Sequence, residues 1–211
     1  MLGVHNPGRH TVLTYVSDDD GLTWRNAQII DLGGQGDHGG VMEAAIEQLK
    51  DGTVWMLLRT NWGRYWQAFS RDEGLTWREI GPSAIEASTS PATIHRLQSG
   101  RLMLLWNRPT MEGKTEHTLW GGDGKSTEVP VSNQRRELSI AFSDDDGTTF
   151  TPPAILAALP DSADQKIMLA YPHVLEYRPG EVWITSMYGN LHCRFNESDL
   201  ISHKPSPGTE K

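Results

Sequence analysis

One cysteine, Cys193, occurs in 211 residues, so no disulfide can form within the chain. Its place in a strand-like run marks it as a small buried residue rather than a reactive one. Long apolar runs are missing too. None approaches the roughly 18 residues that a membrane-spanning helix needs, so no membrane partner is expected. Positive charge is scarce: 19 Lys and Arg stand against 27 Asp and Glu, for a net charge of −8. With no basic patch to offset this, nucleic acid is not an expected partner. No basic-apolar leader opens the chain. His38, His95 and His173 lack ligand spacing, so neither a metal nor another cofactor is expected. What is plentiful is Gly (21), Pro (12) and Trp (8), the makings of many turns around a bulky core. The length suits one medium domain or part of a larger one.

One stretch organises the rest. Ser17-Asp18-Asp19-Asp20-Gly21-Leu22-Thr23-Trp24 returns as Ser70-Arg71-Asp72-Glu73-Gly74-Leu75-Thr76-Trp77 and again as Ser143-Asp144-Asp145-Asp146-Gly147-Thr148-Thr149-Phe150. The shared frame is Ser-x-Asp-x-Gly-x-Thr-aromatic. Each copy lies between strand-like runs and reads as a hairpin turn. The middle carboxylates, Asp19, Asp72 and Asp145, can accept backbone N–H groups across their own turns. Gly21, Gly74 and Gly147 supply the positive φ that closes each turn. Trp24, Trp77 and Phe150 open the next strand and are expected to bury large apolar faces.

A longer repeat surrounds these turns. Met42–Leu49, a turn at Lys50–Thr53 and Val54–Thr60 form a hairpin pattern. Pro91–Leu97 with Leu102–Asn107, and Tyr171–Tyr177 with Val182–Tyr188, repeat it. Third strands are expected at Tyr65–Phe69, Glu137–Phe142 and Leu191–Phe195. Four antiparallel strands recurring at tens of residues make a propeller blade. Residues 10–30 read as half a blade, 41–80 as a blade, 90–156 as a blade with an inserted loop at 109–134, and 171–201 as a partial blade. A polar tail follows at 202–211. The glycine-rich segment 31–40 is either a flexible linker or a loop that brings Asp37 and His38 close to a ligand.

The blade plan sorts residues onto two ends. The repeat turns fall at one end; the starts of first strands and the ends of second strands fall at the other. Glu43 and Tyr171 each stand nine residues before a turn glycine, Gly52 and Gly180, and so hold the same repeat position two blades apart. Arg59 ends a second strand, and Arg135 and Arg136 precede a third. Strand residues alternate between faces, so only one of the adjacent arginines can point inward; Arg135 is favoured.

The repeat turns resemble the Asp-box of the bacterial neuraminidase (sialidase) repeat family, over about residues 10 to 200. The resemblance implies an all-β, six-bladed propeller, of which this chain corresponds to about three to three and a half blades toward the C-terminal end. It also implies roles. In sialidases a first-strand Glu is followed about 16 residues on by an Arg, as Glu43 is by Arg59. A later Arg precedes an Asp-box, and a Tyr opens a later first strand. That Tyr is the family's nucleophile, the Glu activates it, and the arginines grip the sugar carboxylate. Tyr171 and Glu43 are thus the expected catalytic pair, with Arg59, Arg135 or Arg136, Asp37 and His38 toward substrate.

The chemistry suits these residue types. A carboxylate nucleophile would be repelled by the acid group on the anomeric carbon of sialic acid, whereas a neutral phenol is not. With an ordinary pKa near 10, the phenol needs a neighbouring base. Arg offers a planar fork that matches a carboxylate. The expected substrate is a terminal sialic acid or related sugar on a glycan, hydrolysed with retention. A non-catalytic glycan- or protein-binding propeller, or a glycosidase of other specificity, is the alternative, because fold alone does not settle function.

The sequence departs from the family pattern at Pro172, where sialidases carry Ser, and at Met187 and Tyr188, where they carry a Glu. The family's first Arg and its acidic Asp belong to N-terminal blades. Those blades are the expected partner, and without them the chain is expected to be inactive. The resemblance points to a secreted or periplasmic setting.

Overall fold

The computed structural model describes residues 2–6 and 8–201. The strands are β1 (Leu2–Asn6), β2 (Arg9–Val16), β3 (Arg25–Ile30), β4 (Val41–Gln48), β5 (Val54–Thr60), β6 (Arg64–Ser70), β7 (Arg78–Glu86), β8 (Thr93–Arg96) and β9 (Leu102–Trp106). They continue with β10 (Leu119–Gly121), β11 (Pro130–Ser132), β12 (Glu137–Ser143), β13 (Ala154–Ala158), β14 (His173–Arg178), β15 (Glu181–Thr185) and β16 (His192–Asn196). A single helical turn, α1 (Glu197–Ile201), follows β16. All strand pairs are antiparallel, in sheets ordered β1-β2-β3, β4-β5-β6-β7, β13-β12-β9-β8 and β14-β15-β16, with β10 and β11 forming a separate hairpin. The first-strand members pack side by side, β4 beside β8 and β8 beside β14.

Burial on both faces explains the apolar middle strands. Along β5, Trp55 and Leu57 point into a core shared with the third sheet, while Met56 and Leu58 point into one shared with the first. Along β9, Leu102, Leu104 and Trp106 face the second sheet, while Met103 and Leu105 face Val182 and Ile184 of the fourth. Successive side chains leave a strand on opposite faces, so a strand between two cores carries no polar alternation.

The repeat turns share one geometry. In the second, Asp72 Oδ1 accepts the Thr76 N–H at 2.8 Å and Oδ2 accepts the Thr76 hydroxyl at 2.6 Å. Ser70 Oγ donates to Asp72 at 2.7 Å and accepts the Gly74 N–H at 2.8 Å. Asp19 and Asp145 repeat the pattern with Thr23 and Thr149. Gly74 sits at φ +89°, and the residue before it, Glu73, also has positive φ.

Several expectations need correction. Trp77 is 2% exposed, but Trp24 is 62% exposed. The reason is position in the row of sheets. Trp77 packs back on the first sheet and donates its indole N–H to Thr14 at 3.1 Å, and Phe150 packs back on Trp55. Among the described residues, no sheet lies on that side of Trp24. The first unit is three-stranded rather than half a blade, because β1 pairs with β2 from Leu2↔Leu13 to Asn6↔Arg9. The inserted segment is not a plain loop, since it folds the β10–β11 hairpin. Cys193 is half-buried against the core between the third and fourth sheets. The polar tail lies outside the described residues.

Two outcomes follow from this packing. Trp77→Ala should cost about 3–5 kcal/mol, whereas Trp24→Ala should stay within about 0.5 kcal/mol, both read by denaturant unfolding. The hydrogen bonds from Thr76 and Thr149 hold the Asp72 and Asp145 carboxyls down from 3.8 to about 2. Lowered values stabilise the fold above the unfolded-state pKa, and that contribution fades as pH falls through the folded one. Melting temperature should therefore drop as pH falls from about 4 toward 2, with a shallower drop in an Asp72→Asn, Asp145→Asn double variant.

Candidate active site

Three sheets contribute to one cluster. Arg59 is the penultimate residue of β5 and is 3% exposed. In the ladder it faces Met42, and the register then slips between Met42 and Ala45. This bulge holds Glu43 at φ +30°. The Arg59 guanidinium pairs with the Glu43 carboxylate and also donates to the Tyr171 hydroxyl at 3.1 Å. The Tyr171 hydroxyl lies 2.9 and 3.1 Å from the two Glu43 carboxylate oxygens. One phenol thus donates to a carboxylate while accepting from a guanidinium.

Tyr171 is pinned by its chain neighbours. The Leu169 N–H donates to the Arg135 carbonyl at 2.6 Å, and the Met187 N–H donates to the Ala170 carbonyl at 3.0 Å. Asn107 donates to the Leu169 carbonyl at 2.7 Å, and the Thr93 hydroxyl donates to the Pro172 carbonyl. Tyr171 itself takes φ +54°. A left-handed backbone at a bulky residue costs free energy and persists where surrounding contacts enforce it; such outliers cluster at functional sites. Glu43 and Tyr171 are both of this kind, and they meet.

The adjacent arginines diverge. The Arg135 guanidinium stands over the Tyr171 ring, 5.4 Å from its centroid, an arrangement favoured by the ring's negative face. It donates to Asn133 Oδ1 at 3.0 Å and to the Thr89 carbonyl at 3.1 Å. Arg136 instead donates to the Pro160 carbonyl at 2.7 Å, away from the phenol. Burial, then the neighbouring Arg59 charge, pushes the Arg135 pKa down. Among the described residues, no carboxylate lies within ion-pair distance of Arg135. Among the described residues, the phenol is thus flanked by the Arg59 and Arg135 guanidiniums and by the Glu43 carboxylate.

The glycine-rich segment is neither a linker nor slack. The Asp37 and His38 N–H groups donate to the Lys125 and Ser126 carbonyls, each at 2.8 Å. At Gly36 (φ +95°) a Cβ would come within 3.0 Å of the Lys125 carbonyl oxygen, which only glycine avoids. His38 packs edge-on against Trp120 of the inserted hairpin, with ring centroids 5.3 Å apart. Burial, then the charge on Arg59, lowers the His38 pKa below its usual 6.5. The Trp62 indole donates to Glu128 at 2.7 Å, a second tie to the insertion. Thr89, Trp120 and Asn133 went unnoticed in the sequence because they lie outside the repeat frame.

The whole arrangement can hold a neutral phenol beside a base and an anion beside two arginines. Residues 2–184 match the BNR repeat-like domain. The chain belongs to the BNR repeat-like family. Solved structures agree on the fold of this BNR repeat-like chain. A protein of unknown function from Dyadobacter fermentans superposes with a TM-score of 0.56 at 18% identity, over 84% of this chain and 41% of that one. The Hadza microbial sialidase Hz136 gives 0.55 at 19% identity, over 85% and 30%. A mutant of NanB sialidase from Streptococcus pneumoniae gives 0.51 at 16% identity, over 86% and 24%. The chain thus spans less than half the length of each. The fold is all-β, and its antiparallel sheets resemble the blades of sialidase propellers. No curated protein matches the chain.

Burial, reinforced by Glu43 and opposed by Arg59, raises the Tyr171 pKa above 10. In an ultraviolet difference titration of the five tyrosines, Tyr171 should therefore ionise later than an exposed phenol. Tyr171→Phe should remove that late component, leaving the core-sealed Tyr65 to ionise later still.

Proposed function

We propose that this chain carries the nucleophile half of a sialidase-like exo-glycosidase site. The observation that carries the reading is the Tyr171 hydroxyl, held 2.9 Å from Glu43 and 3.1 Å from Arg59. In this reading Glu43 takes the phenolic proton as the Tyr171 oxygen attacks the anomeric carbon. A Tyr–sugar bond forms and the bond to the leaving oxygen breaks. Water then attacks the same carbon as the Tyr–sugar bond breaks; the phenol oxygen takes back the proton held by Glu43, and the proton lost by the water goes to the group that protonated the leaving oxygen. Two displacements give net retention.

Arg59 and Arg135 would hold the sugar carboxylate, the only negative charge that the substrate brings to the reacting carbon. Arg59 has a second use, because its N–H to the phenol oxygen favours the phenolate as it forms. The repeat turns, as Asp-boxes, would be folding elements at the far end of the blades. The leaving oxygen also needs a proton donor, which the sialidase resemblance puts on further blades. General acid catalysis is typically worth about 10²–10⁴-fold, so the isolated chain should bind a sialic-acid carboxylate without cleaving a sialoside.

Calorimetric titration with an unsaturated sialic-acid analogue tests this reading. The wild-type chain should bind, and Arg135→Gln should weaken binding about 10- to 100-fold, as expected for a lost charged hydrogen bond. A polypeptide extended by the further blades should cleave a fluorogenic sialoside and lose that cleavage on Tyr171→Phe. Absence of any affinity for the analogue, or full cleavage by the Phe variant, would overturn the reading. Binding by the extended protein with no turnover would favour the glycan-binding alternative.

A further inference from the structure

Between the second and third sheets runs Ser88-Thr89-Ser90, whose three side chains are buried although all are polar (1%, 0% and 0% exposed). Buried hydroxyls and amides are stable there only when partnered, and each has a partner. Ser88 Oγ donates to the Gln134 carbonyl at 2.8 Å, and Ser90 Oγ donates to Asn107 at 2.7 Å. Thr89 is the member that reaches the site. Its Oγ1 accepts the Arg59 Nε–H at 3.3 Å. Its carbonyl accepts an Arg135 N–H at 3.1 Å. Its own N–H donates to the Ser132 carbonyl, in β11 of the inserted hairpin, at 2.8 Å.

We infer that Thr89 is a positioning residue that sets the separation and aim of the two guanidiniums, and that it does so from the inserted hairpin. Two like charges near each other repel, and each long side chain has several rotamers to lose. A single residue that engages both removes that freedom before any ligand arrives. The Oγ1 bond takes the Nε–H of Arg59, which leaves Nη1 for Glu43 and Tyr171. The carbonyl bond holds one Arg135 nitrogen and leaves the ring-facing plane of the guanidinium over Tyr171. The hairpin ties in through Ser132, so its position passes to both arginines through one residue. This inference rests on the reading of Arg59 and Arg135 as the carboxylate grip. The bracket itself stands on geometry alone.

Thr89→Val keeps the shape and both main-chain bonds but removes the acceptor for Arg59, whereas Thr89→Ser restores an oxygen. The Arg59 Nε–H resonance, assigned with Arg59→Lys, reads the bond directly in the ligand-free 211-residue chain. It should exchange slowly with solvent in the wild type, exchange much faster in the Val variant and recover in the Ser variant. Affinity for the unsaturated sialic-acid analogue should fall about tenfold in the Val variant. Affinity for its methyl ester, which offers the arginines no charge, should change little.

Fast exchange in the wild type, or exchange untouched by Thr89→Val, would overturn the bracket. Should the Val variant fail to fold, Thr89→Ala, which also keeps both main-chain bonds, reads the same contrast against Thr89→Ser: fast exchange in the Ala form and slow exchange in the Ser form support the bracket, and equal exchange overturns it. Should exchange respond as expected while no form of the chain binds the analogue, the bracket stands and the carboxylate reading of the arginines falls.

Discussion

Every other feature of this molecule depends on sheets packed face against face, with a core in each gap. A sheet between two neighbours must be apolar on both sides in its middle strands, and β5 and β9 are built that way, with alternate residues serving different cores. This requirement sets the strand rotation, and the rotation decides which way a residue at a strand end points. Arg59 continues the face of β5 that Trp55 and Leu57 turn toward the third sheet, and it emerges beyond that core where the three sheets converge. The site is thus a by-product of core packing at the strand ends, refined by local distortions. The bulge after Met42 and the left-handed backbone at Tyr171 turn two side chains out of the regular pattern and toward each other.

Much of this was legible in the sequence, for identifiable reasons. The repeat frame fixes hairpins because Ser, Asp, Gly and Thr each have a defined task within the turn, and a local task needs only local residues. The spacing of Glu43 and Tyr171 to their turn glycines is likewise a local count, and the two side chains lie within hydrogen-bond distance. Strand alternation favoured Arg135 over Arg136, but both lie before β12 begins at Glu137, and it is their separate hydrogen bonds, to Thr89 and to Pro160, that send them apart.

What stayed hidden was non-local. The exposure of Trp24 depends on which sheet lies beside it, and the same motif gives a buried Trp77 one sheet later. The inserted segment is rich in turn-forming residues, so its short strands carry no period to detect. The glycines at 31–40 left a flexible linker and a ligand-approaching loop both open, and what they permit is close backbone approach to residues 125–127. Ser88-Thr89-Ser90 carries no motif at all. Its significance arises only when the second and third sheets close around it.

The placement of the hairpin has a consequence for evolvability. It leaves the chain after β9 and returns before β12, and those two strands still pair from Trp106↔Ser139 to Leu102↔Ser143. The ladder on either side does not record how long the excursion is, and each doubling of a loop adds only about 0.6 kcal/mol of closure entropy. A change in the length of this segment therefore leaves the β9–β12 ladder itself intact. Yet the same segment touches His38 through Trp120, and through Ser132 it holds Thr89, which in turn engages both arginines. Changes in the hairpin thus reach the cluster around Tyr171 while the β9–β12 ladder keeps its register.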